Sequence, residues 1–432
     1  MVYSKSNTNN LNLLYLAFLF PPANAVASIR AWNVAKYLAR LGWTISVVTP
    51  QPSLWRNIDN PDDGKDTSPN QSIKRILTDH YFRFLVPQHL KCNNSGLKWF
   101  LGGVCRVGAR KLGYDQNIGW KPAVRRATSF LKEKDIDLIL ATGPPFCSFS
   151  LARELSQQLN CPYILDYRDL WTYGNPHYSG YLLPFFRKQE KITISNSSAI
   201  ITVSNGLADL LSDEFGVGDK IHVIPNGFDS EELQNILPHK FDHFAIVYTG
   251  TFYPPKRSIE PFMKTLKLLK NDDSIKKEWR FHYYGGQNNH VRDYAVKEEV
   301  IDKVVLHGRI DRKGVLEAVK GADIALVITS VEERSDKYNT GIITGKIFEA
   351  IGVGTPILLI APRGSEVTSI IGPNDRHFTG SDVDGMKKYI KMMVLYGISR
   401  LNIYPTKYAW SNLIQDYDAV LRKIVCSSPL TG

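Results

Sequence analysis

Along the chain, short apolar runs alternate with longer stretches in which apolar residues recur every three or four positions. Runs bounded by turn residues read as strands buried on both faces, and the longer periodic stretches as helices. Residues 11–20 predict a first strand. A helix follows in which Trp32, Ala35, Leu38 and Leu41 share a face, with Ser28 placed to cap it and Gly42 to end it. Residues 44–48 predict the next strand, and residues 52–120 are irregular. Strands then resume at 136–141, 163–165, 199–203 and 221–224, with helices at 148–159 and after Ser204-Asn205. Residues 227–243 read as a linker. A second cycle comprises strands at 244–248, 279–284, 304–306, 323–328 and 357–360, with a helix at 258–270 after the first of them.

Such alternation implies parallel sheets covered by helices on both faces, the α/β class. The expected architecture is two Rossmann-like, doubly wound domains facing each other across a cleft. Residues 1–228 make the first domain, 229–243 the linker and 244–404 the second domain. Residues 405–432 form a terminal helix that crosses back. In such sheets, ligands bind at the C-terminal ends of the strands, where helix N-termini present unpaired N–H groups.

Composition narrows the class. With 432 residues, 43% hydrophobic and 22% charged, the chain is ordinary for a globular protein of two or more domains. Its net charge of +11 is concentrated. Between Tyr81 and Lys134 stand eleven basic residues against only Asp115 and Glu133. Leu97, Trp99, Phe100, Leu101, Val104 and Val107 lie among Lys98, Arg106, Arg110 and Lys111, a mixture suited to an anionic membrane surface. A helix packed on its own domain explains it equally well. No nucleic-acid-binding module accompanies the charge, so nucleic acid is not an expected partner.

Five cysteines without metal-ligand spacing predict no metal site and a reducing, cytoplasmic setting. Cys147 and Cys161 read as buried apolar residues. The run 13–20 followed by Ala23-Asn24-Ala25 mimics a secretion signal, but the elements after it need it as a strand. No run is long enough to cross a bilayer as a helix.

Three segments carry the candidate chemistry. Tyr248-Thr249-Gly250-Thr251 leads through Pro254-Pro255 to Lys256-Arg257, so a glycine turn is followed by two cations at a helix start. Taken alone, that segment reads better as a surface loop. In Thr340-Gly341-Ile342-Ile343-Thr344-Gly345-Lys346-Ile347-Phe348-Glu349-Ala350, Thr344 is placed to cap a helix. Its first N–H groups, from Gly345 and Lys346, would face an anion, and Glu349 one turn on would grip ribose hydroxyls. In Asp166-Tyr167-Arg168-Asp169-Leu170-Trp171, three charges end a buried strand. That is costly unless they serve a ligand or pair with each other.

At these points the chain resembles the retaining glycosyltransferases of the GT-B fold, in particular the family-4 group that builds bacterial surface glycans. The likeness runs in order through Phe20-Pro21-Pro22, Leu41-Gly42-Trp43-Thr44, Ala141-Thr142-Gly143-Pro144-Pro145, Arg168-Asp169-Leu170-Trp171 and Thr202-Val203-Ser204. It continues through Val223-Ile224-Pro225-Asn226-Gly227-Phe228-Asp229, Tyr248-Thr249-Gly250-Thr251, Gly321-Ala322-Asp323-Ile324 and Lys346-Ile347-Phe348-Glu349-Ala350, to Tyr408-Ala409-Trp410.

The resemblance implies sugar transfer from a UDP-, GDP- or ADP-sugar to a saccharide or lipid-linked acceptor, without cofactor or metal. Lys256 matches the family's donor-phosphate lysine, and Glu349 the second Glu of its paired-glutamate signature. Thr251 stands where Arg is usual, with Arg257 placed to supply the charge. The first Glu falls at Gly341, so its role passes to Glu332, Glu333 or Asp336, or is absent. Arg168 and Asp169 stand where many members place a sugar-contacting His. Catalytic roles are thus expected for Arg168, Asp169 and Lys256, and donor binding for Gly250, Thr251, Arg257, Gly308, Arg309, Thr344, Gly345, Lys346 and Glu349. Two other readings fit the pattern: a nucleotide-sugar epimerase of the same fold, and a non-catalytic protein that binds nucleotide or a partner.

Overall fold

The computed structural model describes residues 11–23, 25–56, 72–83, 90–91, 97–112, 117–175, 178, 180–333, 337–397 and 406–427. The chain divides into two compact units. Unit 1 holds Met1–Val203, Ala208–Ile224 and Leu413–Gly432; unit 2 holds Ser204–Leu207 and Pro225–Asn412.

Unit 1 runs β1 (Asn12–Leu16), α1 (Val26–Arg40), β2 (Thr44–Pro50), β3 (Ile73–Thr78), α2 (Leu97–Leu112), α3 (Trp120–Ala127), β4 (Leu138–Gly143) and α4 (Cys147–Leu159). It continues with β5 (Tyr163–Tyr167), α5 (Leu183–Ser195), β6 (Ala199–Thr202), α6 (Asn205–Phe215) and β7 (Ile221–Val223). The strands are parallel in the order β3-β2-β1-β4-β5-β6-β7. Leu13 to Leu16 are fully buried between β2 and β4, so the signal-like run is the central strand of the sheet. Asn24 of the apparent cleavage site lies outside the described residues.

Ser28 does not cap α1. The helix begins two residues earlier, after an extended Ala25 that makes no side-chain cap bond, and Ser28 is buried in the first turn. Gly42, at φ +94°, turns the chain out of the helix in a conformation that glycine tolerates best. Cys147 and Cys161 are buried as expected. Residues of the last helix close unit 1. Asp418 accepts from Trp43 Nε1 at 2.6 Å, Arg422 donates to Leu41 O at 2.8 Å, and Tyr417 and Leu421 are fully buried.

Unit 2 runs α7 (Ser230–Gln234), β8 (Phe244–Thr249), α8 (Glu260–Lys270), β9 (Trp279–Tyr284), α9 (Asn288–Lys297), β10 (Val304–Gly308), α10 (Arg312–Gly321) and β11 (Ile324–Ile328). After these come α11 (Lys337–Thr340), α12 (Gly345–Val353), β12 (Ile357–Ile360), β13 (Arg376–Phe378), α13 (Val383–Tyr396) and the start of α14 (Trp410–Ser427). Its parallel strand order, β10-β9-β8-β11-β12-β13, repeats the dinucleotide-fold order of the first sheet. Within the stretch that reads as a linker lies α7, whose Leu233 is buried with Phe228 and Ile236 in a core shared with Ile347, Phe348 and Ile351 of α12. Asp229 caps α7 by accepting from the Glu231 N–H.

Candidate donor site

In a doubly wound sheet the loops diverge at the switch point, here between β8 and β11, and leave a crevice at the strand C-termini. The loop after β8 begins at Gly250, whose φ of +108° suits glycine. A Cβ at this position would stand 2.7 Å from Lys346 Nζ and 2.5 Å from Lys346 Cε. The missing side chain is therefore what admits the lysine. Lys346 extends from the first turn of α12 and lies 5.7 Å from the centroid of the buried Tyr248 ring. Among the described residues, none forms a hydrogen bond or ion pair with its ammonium.

Burial, reinforced by the Arg257 charge and opposed by Glu349, brings Lys346 down to about 8. Thr344 stands at the N-cap position, but its side chain makes no capping bond. Ile347 N–H closes back on Thr344 O at 3.3 Å, ahead of which Gly345 and Lys346 open the helix. An uncapped helix N-terminus and a buried ammonium thus share the first turn of α12, a setting in which an anion can replace the missing cap.

The loop after β8 doubles back on itself. Tyr253 and Arg257 exchange backbone hydrogen bonds at 3.2 and 3.0 Å, leaving Pro254-Pro255 at the exposed tip. Lys256 is exposed at that tip, and its carbonyl accepts from Val331 N–H at 2.7 Å. Arg257 is half-buried, donates Nε to Thr329 O at 3.3 Å, and lies 5.5 Å from the Tyr253 ring centroid. Thr251 is half-buried and its carbonyl accepts from Tyr248 OH at 3.3 Å.

Glu349, one turn into α12, is already held by a partner that the sequence did not reveal. Arg312 Nη1 reaches Glu349 Oε1 at 2.7 Å, while its Nε and Nη2 grip Glu232 at 2.5 and 2.9 Å. One guanidinium between two carboxylates keeps Glu349 oriented through Oε1. Glu232 comes from α7, in the segment that reads as a linker, so no local pattern could have joined it to Glu349. Gly308 sits at φ +76°, and a Cβ on Gly286 would stand 2.6 Å from Arg309 Nε, so Arg309 lies across a glycine turn after β9. Of the residues set to replace the signature's first Glu, Glu332 is half-buried with its N–H on Ser330 Oγ and Glu333 is exposed. Asp336 lies outside the described residues.

In unit 1, the strand end after β5 resolves into two networks. Asp166 is fully buried and paired with buried Arg30 at 2.9 Å, and it accepts from Thr142 Oγ1 at 2.9 Å. Arg168 does not pair there. Its Nε donates to Thr142 Oγ1 at 3.0 Å and its Nη2 to Pro144 O. Asp169, next along, is exposed. Arg168 and Asp169 therefore belong to unit 1, and Lys256 with the residues expected to bind the donor to unit 2.

Two parallel sheets in the dinucleotide-fold order, one with a cationic cradle at its switch point, define the doubly wound α/β class. The family model described as Glycosyltransferase Family 4 matches residues 27–232, and that described as Glycosyl transferases group 1 matches residues 243–394. The chain belongs to the family-4-like glycosyltransferases of the GT-B fold, and is a glycosyltransferase. No curated sequence matches it significantly.

Solved structures share the fold at low identity. A glycosyltransferase from Rickettsia africae is 13% identical with TM-score 0.61, covering 97% of this chain and 100% of its own. Sucrose-phosphate synthase from Thermosynechococcus elongatus is 14% identical with TM-score 0.59, covering 96% and 95%. HepE from Anabaena, solved in complex with UDP and glucose, is 12% identical with TM-score 0.56, covering 97% of each chain.

Proposed function

We propose that the enzyme moves a sugar, with retention at the anomeric carbon, from a UDP-, GDP- or ADP-sugar to a saccharide or lipid-linked saccharide acceptor in cell-surface polysaccharide synthesis. The observation that carries this reading is the convergence of Lys346 Nζ, Gly250 and the uncapped start of α12, with Glu349 oriented by Arg312 one turn on. The cradle suits a pyrophosphate, and the carboxylate suits ribose hydroxyls. As the anomeric C–O bond breaks, charge collects on the leaving diphosphate, and Lys346, Arg257 and the helix N-terminus offset it. The acceptor oxygen bonds the anomeric carbon from the same face, and its proton passes to the departing phosphate oxygen. Side chains supply this charge balance in the proposed reaction, so EDTA should leave turnover unchanged.

The HepE complex with UDP makes UDP-sugars the first candidates. Melting curves with UDP, GDP and ADP, followed by assays for nucleotide release from the corresponding sugars, test the proposal. At least one diphosphate should raise the melting temperature and its sugar should slowly release nucleotide. An isomerised sugar would instead identify an epimerase, and protection without turnover a binder.

The same proposal places the enzyme at the cytoplasmic face of an anionic membrane, through α2. No helix among the described residues is long and apolar enough to cross a bilayer. On α2, however, Phe100, Leu101, Val104 and Val107 are 60%, 51%, 55% and 58% exposed, so they do not pack on their own unit. Positions 100, 104 and 107 share one side of the helix, and the helix carries Lys98, Arg106, Arg110 and Lys111 without an acidic residue. An apolar stripe on a helix whose sequence holds four cations and no acid complements a headgroup boundary. Flotation with anionic vesicles should weaken with salt and fail for the F100E/V104E double variant at unchanged melting temperature. Equal binding to neutral vesicles would contradict it.

A further inference from the structure

We infer that Glu190 is a positioning residue that clamps the Arg168–Trp171 turn from both ends and so presents Asp169. The inference rests on the proposed sugar transfer for its consequence in turnover, but its geometry stands apart from the nucleotide cradle. Glu190 sits in the middle of α5 and is 1% exposed. Its Oε1 accepts from Tyr167 OH at 3.1 Å, and its Oε2 from Thr172 N–H at 3.1 Å and from Thr172 Oγ1. Tyr167 is the last residue of β5 and Thr172 the first residue past the turn. Both carboxylate oxygens are thus used, and their partners bracket the four residues between them.

A buried carboxylate is costly, and among the described residues no cation pairs with Glu190. A leucine would fill the space between helix and sheet without that penalty. What the carboxylate adds is two tethers, one on each side of a turn that carries charge. The burial pushes Glu190 up to about 7, opposed by the bonds from Thr172 and Tyr167. The turn is fixed elsewhere too. Arg168 N–H donates to Gly143 O at 3.2 Å, Asn175 Nδ2 to Leu170 O at 3.2 Å, and the Trp171 ring stacks on Phe146 at 5.8 Å and 5°. With its neighbours held, Asp169 is the charged side chain of the turn that stays exposed.

The test compares the full-length wild type with E190A, E190Q and Y167F by hydrogen exchange across residues 168–172. Nucleotide release from the sugar nucleotide that wild type turns over is measured alongside. In E190A the Thr172 amide should exchange about tenfold faster, and kcat should fall while donor KM stays nearly constant. E190Q should restore protection and most of kcat, since its carbonyl accepts from Thr172 and its amide donates to Tyr167. It should also remove any pH dependence of that exchange centred near 7. Y167F cuts one tether and should give a smaller acceleration; it replaces E190A if that variant does not fold. Unchanged Thr172 protection in E190A, or in Y167F standing in for it, overturns the clamp, as does a kcat loss that E190Q does not rescue. If wild type turns over no sugar nucleotide, the transferase reading fails, and the exchange data alone decide whether Glu190 holds the turn.

Discussion

Lys346 concentrates the chemistry of the site in one side chain. Its folded value near 8 lies below the ordinary 10.5, so from about pH 8 to 10.5 the unfolded chain holds a proton that the folded chain has lost. Stability therefore rises with pH across that window, and below it the buried cation is a standing cost. A diphosphate reverses the sign by drawing the proton back onto Lys346. Calorimetry at pH 8.5 in buffers of different ionisation enthalpy should show proton uptake on nucleotide binding, and affinity should decline as pH rises past 8. Lys346→Met should abolish the uptake, weaken binding roughly ten- to a hundredfold, and melt no lower than wild type. The sequence marked residue 346 for its backbone N–H; where its ammonium goes depends on contact with Gly250, far away in the chain. The buried pair of Arg30 and Asp166, 136 residues apart, was out of reach for the same reason. Asp166→Ala should strand Arg30 and destabilise unit 1 by about 3–5 kcal/mol, measurable by urea denaturation.

Elements were legible where burial was symmetrical. Strand β12 begins and ends where its apolar run does, because both of its faces are covered. The strands missed are β3 and β13, each at the edge of its sheet. Lys74 and Arg75 of β3, and Arg376 and His377 of β13, break the apolar run while the backbone still pairs. Caps were read less well, since Ser28 and Thr344 are cap-type residues whose side chains make no cap bond here. At Thr344 the vacancy fits the anion cradle. The β8 turn gives a further test. Gly250→Ala adds a Cβ at φ +108° that would collide with Lys346, at a backbone cost of about 1–2 kcal/mol. It should weaken nucleotide binding about as much as Lys346→Met while, unlike it, lowering the melting temperature. Retained affinity in a calorimetric titration would contradict the role given to the glycine.

At the scale of the molecule, two units repeat one strand order, and the candidate residues stand at strand ends, on the loops that follow them and in the first turns of a helix. The periodicity of the chain conveyed that duplication, and the ordered motifs conveyed the family. The partners within each site were not conveyed, because Arg312, Glu232 and Glu190 act across the fold rather than along the sequence. The central claim is that a nucleoside diphosphate is held in unit 2, against Lys346 and the start of α12. Hydrogen exchange of the full chain with and without UDP, GDP and ADP tests it most directly. Slowed exchange at residues 250–257, 308–312 and 344–349 is predicted for at least one of them. Protection by none of the three, or protection confined to unit 1, would contradict it.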